Sequence, residues 1–257
     1  MQSLLWNPLD NWRSPAPSPD RVQWLKDWDY AHRGLHGNGV PENSPSGFAE
    51  AIGQGIGIEL DVQRSRDGRA VVFHDWEFDR LTEEKGPVAQ RDAADIEKIF
   101  LAGSSDAIPQ LGRTLDQVAG QVPILIELKS AFDRRTASLC LAVQRALEGY
   151  RGDHAVMSFD PGVSGWFAQH SPRTVRGLVI RETGKPALRS NWKRRRAMWQ
   201  AKPDFIAYNI IDLPSRFAAQ QRKRGLPMLT WTVKSEEQRQ TAVNNADALI
   251  AEQEQPR

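Results

Sequence analysis

Cysteine is almost missing from this chain: Cys140 is the only one in 257 residues, which excludes an intrachain disulfide. Long apolar runs are missing too. None approaches about 18 residues, so no transmembrane helix is expected. A charge excess of either sign is also lacking. The net charge is +2, and nothing at this level resembles a nucleic-acid footprint. The first twenty residues carry no basic stretch leading into an apolar one. No secretory leader is therefore expected, and the cytoplasm is the expected location. Internal repeats and low-complexity linkers are likewise absent.

What is present is an ordinary globular composition, 40% hydrophobic and 26% charged, at a length close to that of one (β/α)₈ barrel. Tryptophan is unusually frequent, and four of the nine (Trp6, Trp12, Trp24 and Trp28) fall within the first 30 residues. The Pro-rich stretch 13–20 is expected to be an extended arm without a core of its own. The tryptophans are expected to staple that arm to a barrel surface, the alternative being a membrane-interface or lid role. The reading is an arm over 1–28 and a barrel over 29–257.

Short apolar runs recur with helical stretches between them, as in a parallel α/β sheet. Candidate strands cover 29–33, 57–62, 70–74, 123–129, 154–159, 175–180, 204–208, 227–233 and 247–251. Candidate helices cover 46–54, 133–150, 187–200, 215–224 and 235–245, and loops with a helix near 95–100 fill 76–114. Nine strands are one too many for the barrel. The seven residues 63–69, with the turn pair Asp67-Gly68, are too few for a parallel crossover but suit an antiparallel hairpin. That leaves eight parallel strands, with a β-hairpin after the second that returns His74 towards Asp61.

Chemistry concentrates at the expected carboxyl ends of these strands. In Glu59-Leu60-Asp61 the two carboxylates share one face of a strand, and Glu127-Leu128-Lys129 repeats the spacing. Glu59, Asp61 and Glu127 together offer hard oxygen ligands suited to one divalent ion, Mg²⁺ or Ca²⁺, with Lys129 as an added positive charge. His32-Arg33 ends the first strand and His74-Asp75 the hairpin. Two histidines beside a metal and two fixed cations suit phosphodiester cleavage, one ring accepting a proton and the other supplying one. Glu42 and Asn43 either cap the helix after them or reach the site. Gly34, Gly37 and Gly39 are expected in turns, and His36 between them is assigned no role. Cys140 is expected in the core. The basic block 193–196, with Arg189, is expected on a solvated helix face, the alternative being contact with anionic lipid.

In order, His32-Arg33-Gly34, Pro41-Glu42-Asn43-Ser44, Glu59-Leu60-Asp61-Val62, Asp67-Gly68, Val71-Val72-Phe73-His74-Asp75, Ile126-Glu127-Leu128-Lys129, Ser158-Phe159 and Trp231-Thr232-Val233 resemble the signature of the glycerophosphodiester phosphodiesterase family. The resemblance covers nearly the whole chain after residue 29. It implies a (β/α)₈ TIM barrel of the phospholipase-C-like phosphodiesterase type and hydrolysis of glycerophosphodiesters to glycerol 3-phosphate and an alcohol. It further implies His32 and His74 as the acid/base pair and Glu59, Asp61 and Glu127 as metal ligands. Arg33 and Lys129 would bind phosphate, and Trp231 and Phe159 would line the substrate cleft. The expected partner is a small glycerophosphodiester or a lysophospholipid, with no nucleic acid and no stable membrane anchor, peripheral contact staying open. Two other functions compete: a lysophospholipase-D-like enzyme at a membrane surface, and a catalytically silent barrel that binds a phosphoryl ligand. The chain departs from the family at Ser44, where Thr is usual, at Lys234, and at Ala251-Glu252-Gln253, where the difference is expected to affect packing alone.

Overall fold

The computed structural model describes residues 3–131, 136–183 and 190–252, with side chains from residue 8 onward. Among the described residues there are nine strands: β1 (Tyr30–Ala31), β2 (Gly57–Arg64), β3 (Ala70–Val72), β4 (Ile124–Leu128), β5 (His154–Ser158), β6 (Val175–Ile180), β7 (Phe205–Asn209), β8 (Met228–Val233) and β9 (Ala248–Ala251). They form one sheet in the order β1-β9-β8-β7-β6-β5-β4-β2-β3, and β1 also pairs with β2. The fold is a closed parallel (β/α)₈ barrel with β3 as an extra strand. Helices follow the parallel strands: Pro45–Gly53, Leu111–Val118, Thr136–Ala146, Pro161–His170, Asn191–Ala201, Arg216–Lys223 and Glu236–Asn245. The helices at 111–118 and 161–170 were not among those expected. The starts of the expected 133–150 and 187–200 helices, Arg189, Gln253 and the side chain of Trp6 lie outside the described residues.

By internal contacts the chain divides into two compact units. One is Asp29–His154 with Ala251–Arg257, and the other is Met1–Trp28 with Ala155–Ile250.

In the first unit β2 is the organising strand. It pairs in parallel with β1 (Ala31↔Ile58) and β4 (Asp61↔Glu127), and antiparallel with β3 (Val62↔Val72). Ile58, Leu60 and Val62 are fully buried, as befits a strand covered on both faces. The stretch after β3 builds a satellite core in which Phe78, Val88, Ile96 and Leu101 pack on Val71 and Phe73. Regular structure there is limited to single turns, Phe78–Arg80, Val88–Gln90 and Ala93–Ile96.

In the second unit the first residues depart from expectation. Ser3–Arg13 is a helix, and only 14–18 lack regular structure before the helical turn Pro19–Val22. Trp12 is 73% exposed, with the Arg13 guanidinium 4.7 Å from its ring, while Trp24 and Trp28 are half-buried. Val22 and Leu25 are buried, and polar contacts add to them: Asp10 binds the Arg195 guanidinium and accepts from Trp199 Nε1 (2.9 Å), and Arg21 pairs with Asp204 (3.0 Å). The solvated-face reading of the basic block holds for Lys193 and Arg196, which are exposed, and fails for Arg194 and Arg195. Arg194 and Arg195 are 8% and 2% exposed, the former paired with Glu182 at 2.8 Å. Charges cannot be left bare in an interior, so they turn inward only where such partners wait.

Candidate active site

Three carboxylates meet in the first unit. Glu59 and Asp61 are each 2% exposed on β2, and Glu127 is 9% exposed on β4. The parallel register sets Asp61 beside Glu127, and ligand atoms of all three lie within 4.8 Å of one another. Among the described residues this is one of two groups that could hold a metal ion. Two cations face it. Lys129 Nζ lies 2.9 Å from Glu127 and 3.5 Å from Asp61, and Arg33 Nε lies 3.2 Å from Asp61 Oδ2.

Three anions against two cations leave one negative charge unmatched, and Glu59 bears it. Burial, then Asp61 and Glu127, pushes its carboxyl well above the ordinary range, despite Arg33 and the Arg33 backbone N–H that donates to it at 3.1 Å. Burial also works against ionised Asp61, yet Lys129, Arg33, His74 and an Asn43 hydrogen bond hold it low. For Lys129 burial opposes the charge, but Glu127 and Asp61 raise its pKa above the usual lysine range. A buried cluster of oxygen donors that keeps a proton for want of positive charge fits a hard divalent cation.

Asn43 and Glu42 belong to the site. The Asn43 side chain donates to Asp61 Oδ2 (3.0 Å) and accepts from the Asp61 backbone N–H (3.1 Å). The helix is capped by Ser44 instead, whose Oγ accepts from Gly47 N at 3.0 Å. Arg33 and Asn43 both have left-handed backbones (φ 58° and 55°), a costly conformation that is held by the Asn43 N–H donating to the Arg33 carbonyl at 2.8 Å.

A chain of charges then runs outward from Arg33. Glu42 accepts from Arg33 (2.8 Å) and from Arg80 (2.8 and 3.1 Å), while Arg80 also donates to both oxygens of Asp75 (2.5 and 3.0 Å). Asp75 contacts His74 Nδ1 at 2.6 Å. Arg80 hydrogen bonding holds the Asp75 carboxyl at about 2. It is an acceptor only, so His74 Nδ1 carries the proton and Nε2 keeps a lone pair. Burial, with Lys129 and Arg33, holds His74 below the ordinary histidine value, against Asp61 and Asp75.

His32 is tethered by its backbone N–H to the Ala251 carbonyl (2.9 Å), and its Nδ1 lies 3.1 Å from Glu252 Oε1. The packing-only reading of the 251–253 departure is therefore corrected, because Glu252 contacts His32. A cavity of about 370 Å³ is lined by Gln63, Trp76, Glu77 and Lys129 among others.

Phe159 and Trp231 belong to the second unit. They pack edge to face at 5.3 Å, Trp231 Nε1 donates to the Ala207 carbonyl (3.0 Å), and the Arg181 guanidinium lies over both rings.

Glu252, Arg80 and Arg181 are the neighbours that sequence reasoning missed. For Glu252 a signal existed, an acid ending a barrel strand. For the arginines no spacing pointed to them.

The sequence profile of the glycerophosphoryl diester phosphodiesterase family matches residues 32–251. The chain belongs to this family. Like it in sequence is a glycerophosphodiester phosphodiesterase of Bacillus altitudinis, 35% identical over 114 residues, 41% of this chain and 46% of that protein. The matched stretch thus spans less than half of that relative's length. Glycerophosphodiester phosphodiesterase 1 of Bos taurus is 26% identical over 85% of this chain and 76% of its own. Among solved structures, a phosphodiesterase of Oleispira antarctica in complex with the product sn-glycerol-3-phosphate superposes with a TM-score of 0.76 at 21% identity, covering 87% of this chain and 92% of that one. A glycerophosphodiester phosphodiesterase of Thermotoga maritima gives 0.70 at 22% identity, covering 87% and 94%. Family membership thus brings together the profile and the barrel. No helix among the described residues is long and apolar enough to cross a membrane.

Proposed function

We propose that this chain hydrolyses glycerophosphodiesters to glycerol 3-phosphate and an alcohol. The observation that carries the reading is the buried cluster Glu59, Asp61 and Glu127, short of one positive charge and flanked by Arg33 and Lys129. These three carboxylates would hold one Mg²⁺ or Ca²⁺, which when bound would polarise the phosphoryl group and offset its charge. Arg33 and Lys129 bind the phosphate oxygens and stabilise charge that builds on them as the phosphorus–oxygen bond breaks. His74, with a lone pair on Nε2, takes the proton of the attacking oxygen, whether of water or of the substrate's glycerol, and His32 protonates the departing alkoxide. Glu252 and Asp75 orient the two rings through Nδ1. Trp231 and Phe159 contact the substrate, an extension that rests on the resemblance to the family.

The Oleispira antarctica protein with bound sn-glycerol-3-phosphate supports glycerol 3-phosphate as the product here. A lysophospholipid substrate keeps only part of one of its two motives, since Arg194 and Arg195 are buried in ion pairs while Lys193 and Arg196 are exposed. Release of glycerol 3-phosphate from glycerophosphocholine, with Mg²⁺, Ca²⁺ or EDTA, is the test. Metal-dependent release that His32→Ala and Glu59→Ala both abolish is the expected result. Release that persists in EDTA, or cleavage of lysophosphatidylcholine in its place, would overturn it.

A further inference from the structure

The second cluster of potential ligands is made of different atoms and has different chemistry. His32, His36 and Glu252 each bring a ligand atom to within 4.8 Å of the others. His32 and His36 stand four residues apart on the turn that follows β1. That turn reverses at Gly37, which exchanges backbone hydrogen bonds with Val40 (2.9 and 3.0 Å). Glu252 arrives from the chain after β9, brought there by the hydrogen bond between His32 N and the Ala251 carbonyl. Two observations mark the cluster as more than a packing accident. His36 Nε2 is buried and has no hydrogen-bond partner among the described residues, a polar atom of the kind that interiors rarely leave uncompensated. His32 Nδ1 already shares its position with a carboxylate oxygen at 3.1 Å, an arrangement that a cation can replace.

We propose that His32, His36 and Glu252 form a second, inhibitory metal site selective for a borderline transition ion such as Zn²⁺, separate from the carboxylate cluster. Imidazole nitrogens favour Zn²⁺ or Cu²⁺, whereas the all-oxygen cluster favours Mg²⁺ or Ca²⁺. Bonds of about 2.0–2.2 Å in a tetrahedral site place ligand atoms roughly 3.4 Å apart, so side-chain rotations of about an ångström close the set. Coordination puts the ion where the Nδ1 proton of His32 sat and leaves the remaining proton on Nε2. A ring whose Nδ1 holds a metal cannot become the imidazolium that gives its proton readily to the departing alkoxide, and the Nε2–H of a neutral imidazole is a far weaker acid. Zn²⁺ therefore inhibits without displacing the ion of the carboxylate cluster. The binding half of this inference stands apart from the proposed activity, and the inhibitory half rests on it.

The test titrates Co²⁺ into wild type, His36→Asn, Glu252→Gln and Glu59→Gln, reading visible d–d absorption, and then displaces it with Zn²⁺. One equivalent with an intense low-symmetry spectrum is expected in wild type and in Glu59→Gln. It should weaken at least about 10-fold in His36→Asn and in Glu252→Gln. Circular dichroism checks that each variant is folded, and the two independent variants guard against a single misfolded one. In parallel, the Zn²⁺ concentration that halves glycerol 3-phosphate release should rise about 10-fold in His36→Asn. An equivalent absent from wild type, or one lost in Glu59→Gln and kept in His36→Asn, overturns the site. Inhibition unchanged in His36→Asn overturns its role. If no turnover exists at all, the absorption titration still decides the site, so failure of the activity and failure of the metal site are told apart.

Discussion

Glu59→Gln separates the cost of the acidic cluster from its use. In the metal-free protein Glu59 is the carboxyl left without a cation, so its neutral form is favoured. Glutamine copies that form in shape and charge. In EDTA near neutral pH the variant should be at least as stable as wild type. The sign of the pH dependence follows from the raised value. The folded state holds a proton that the unfolded chain gives up near pH 4.3, so metal-free stability falls as pH rises from there, until the folded value is passed. The variant should lack that slope. Metal reverses the order. At a free concentration 100 times Kd, a bound ion stabilises the fold by about 2.7 kcal/mol. For a protein of this size that is a rise in Tm of roughly 5–11 °C, at about 2–4 °C per kcal/mol. Because binding displaces the Glu59 proton, the rise should grow with pH over the same window. Thermal melts by circular dichroism, in EDTA and in saturating Mg²⁺ or Ca²⁺, read all of this. A variant with the full metal-dependent rise, or one several degrees less stable than wild type in EDTA, would refute the assignment of the unmatched charge to Glu59.

Other substitutions probe the surroundings. Asp10→Ala removes the carboxylate paired with Arg195, which is 2% exposed and keeps Gln220 Oε1 at 2.8 Å, and an acceptor of Trp199. Urea unfolding should show a loss of about 3–5 kcal/mol, much of it recovered in the double variant with Arg195→Met, and a loss under about 1 kcal/mol contradicts the buried-pair reading. Arg80→Ala unties Asp75 from Glu42. Turnover of glycerophosphocholine should drop about 10–100-fold at little change in KM, with partial recovery in Arg80→Lys, while stability moves by under about 1 kcal/mol because Arg80 is half exposed. An unchanged kcat would remove Arg80 from the network's function. Ser44→Ala deletes the helix cap and should cost about 1 kcal/mol in chemical denaturation, whereas Ser44→Thr should be close to neutral.

Local spacing was enough for the parts of this protein that follow from one strand or one turn. The i, i+2 period of a strand puts Glu59 with Asp61 and Glu127 with Lys129 on common faces, whatever else surrounds them. The seven residues between Val62 and Ala70 admit an antiparallel return, which is how β2 and β3 pair. Apolar runs likewise mark the strands, because a barrel strand is covered on both sides. Long-range pairing lay beyond such reasoning. That Asn43 clamps Asp61 while Ser44 caps the helix depends on the left-handed turns at Arg33 and Asn43, which sequence leaves open for any polar residue. Glu252 meets His32 across 220 residues because the ring closes β1 against β9. Arg194 and Arg195 look like a solvated patch until Glu182 and Asp10 are seen to receive them. In each case the free energy of a charged group depends on the partner it finds after burial. Only the assembled tertiary structure supplies that partner.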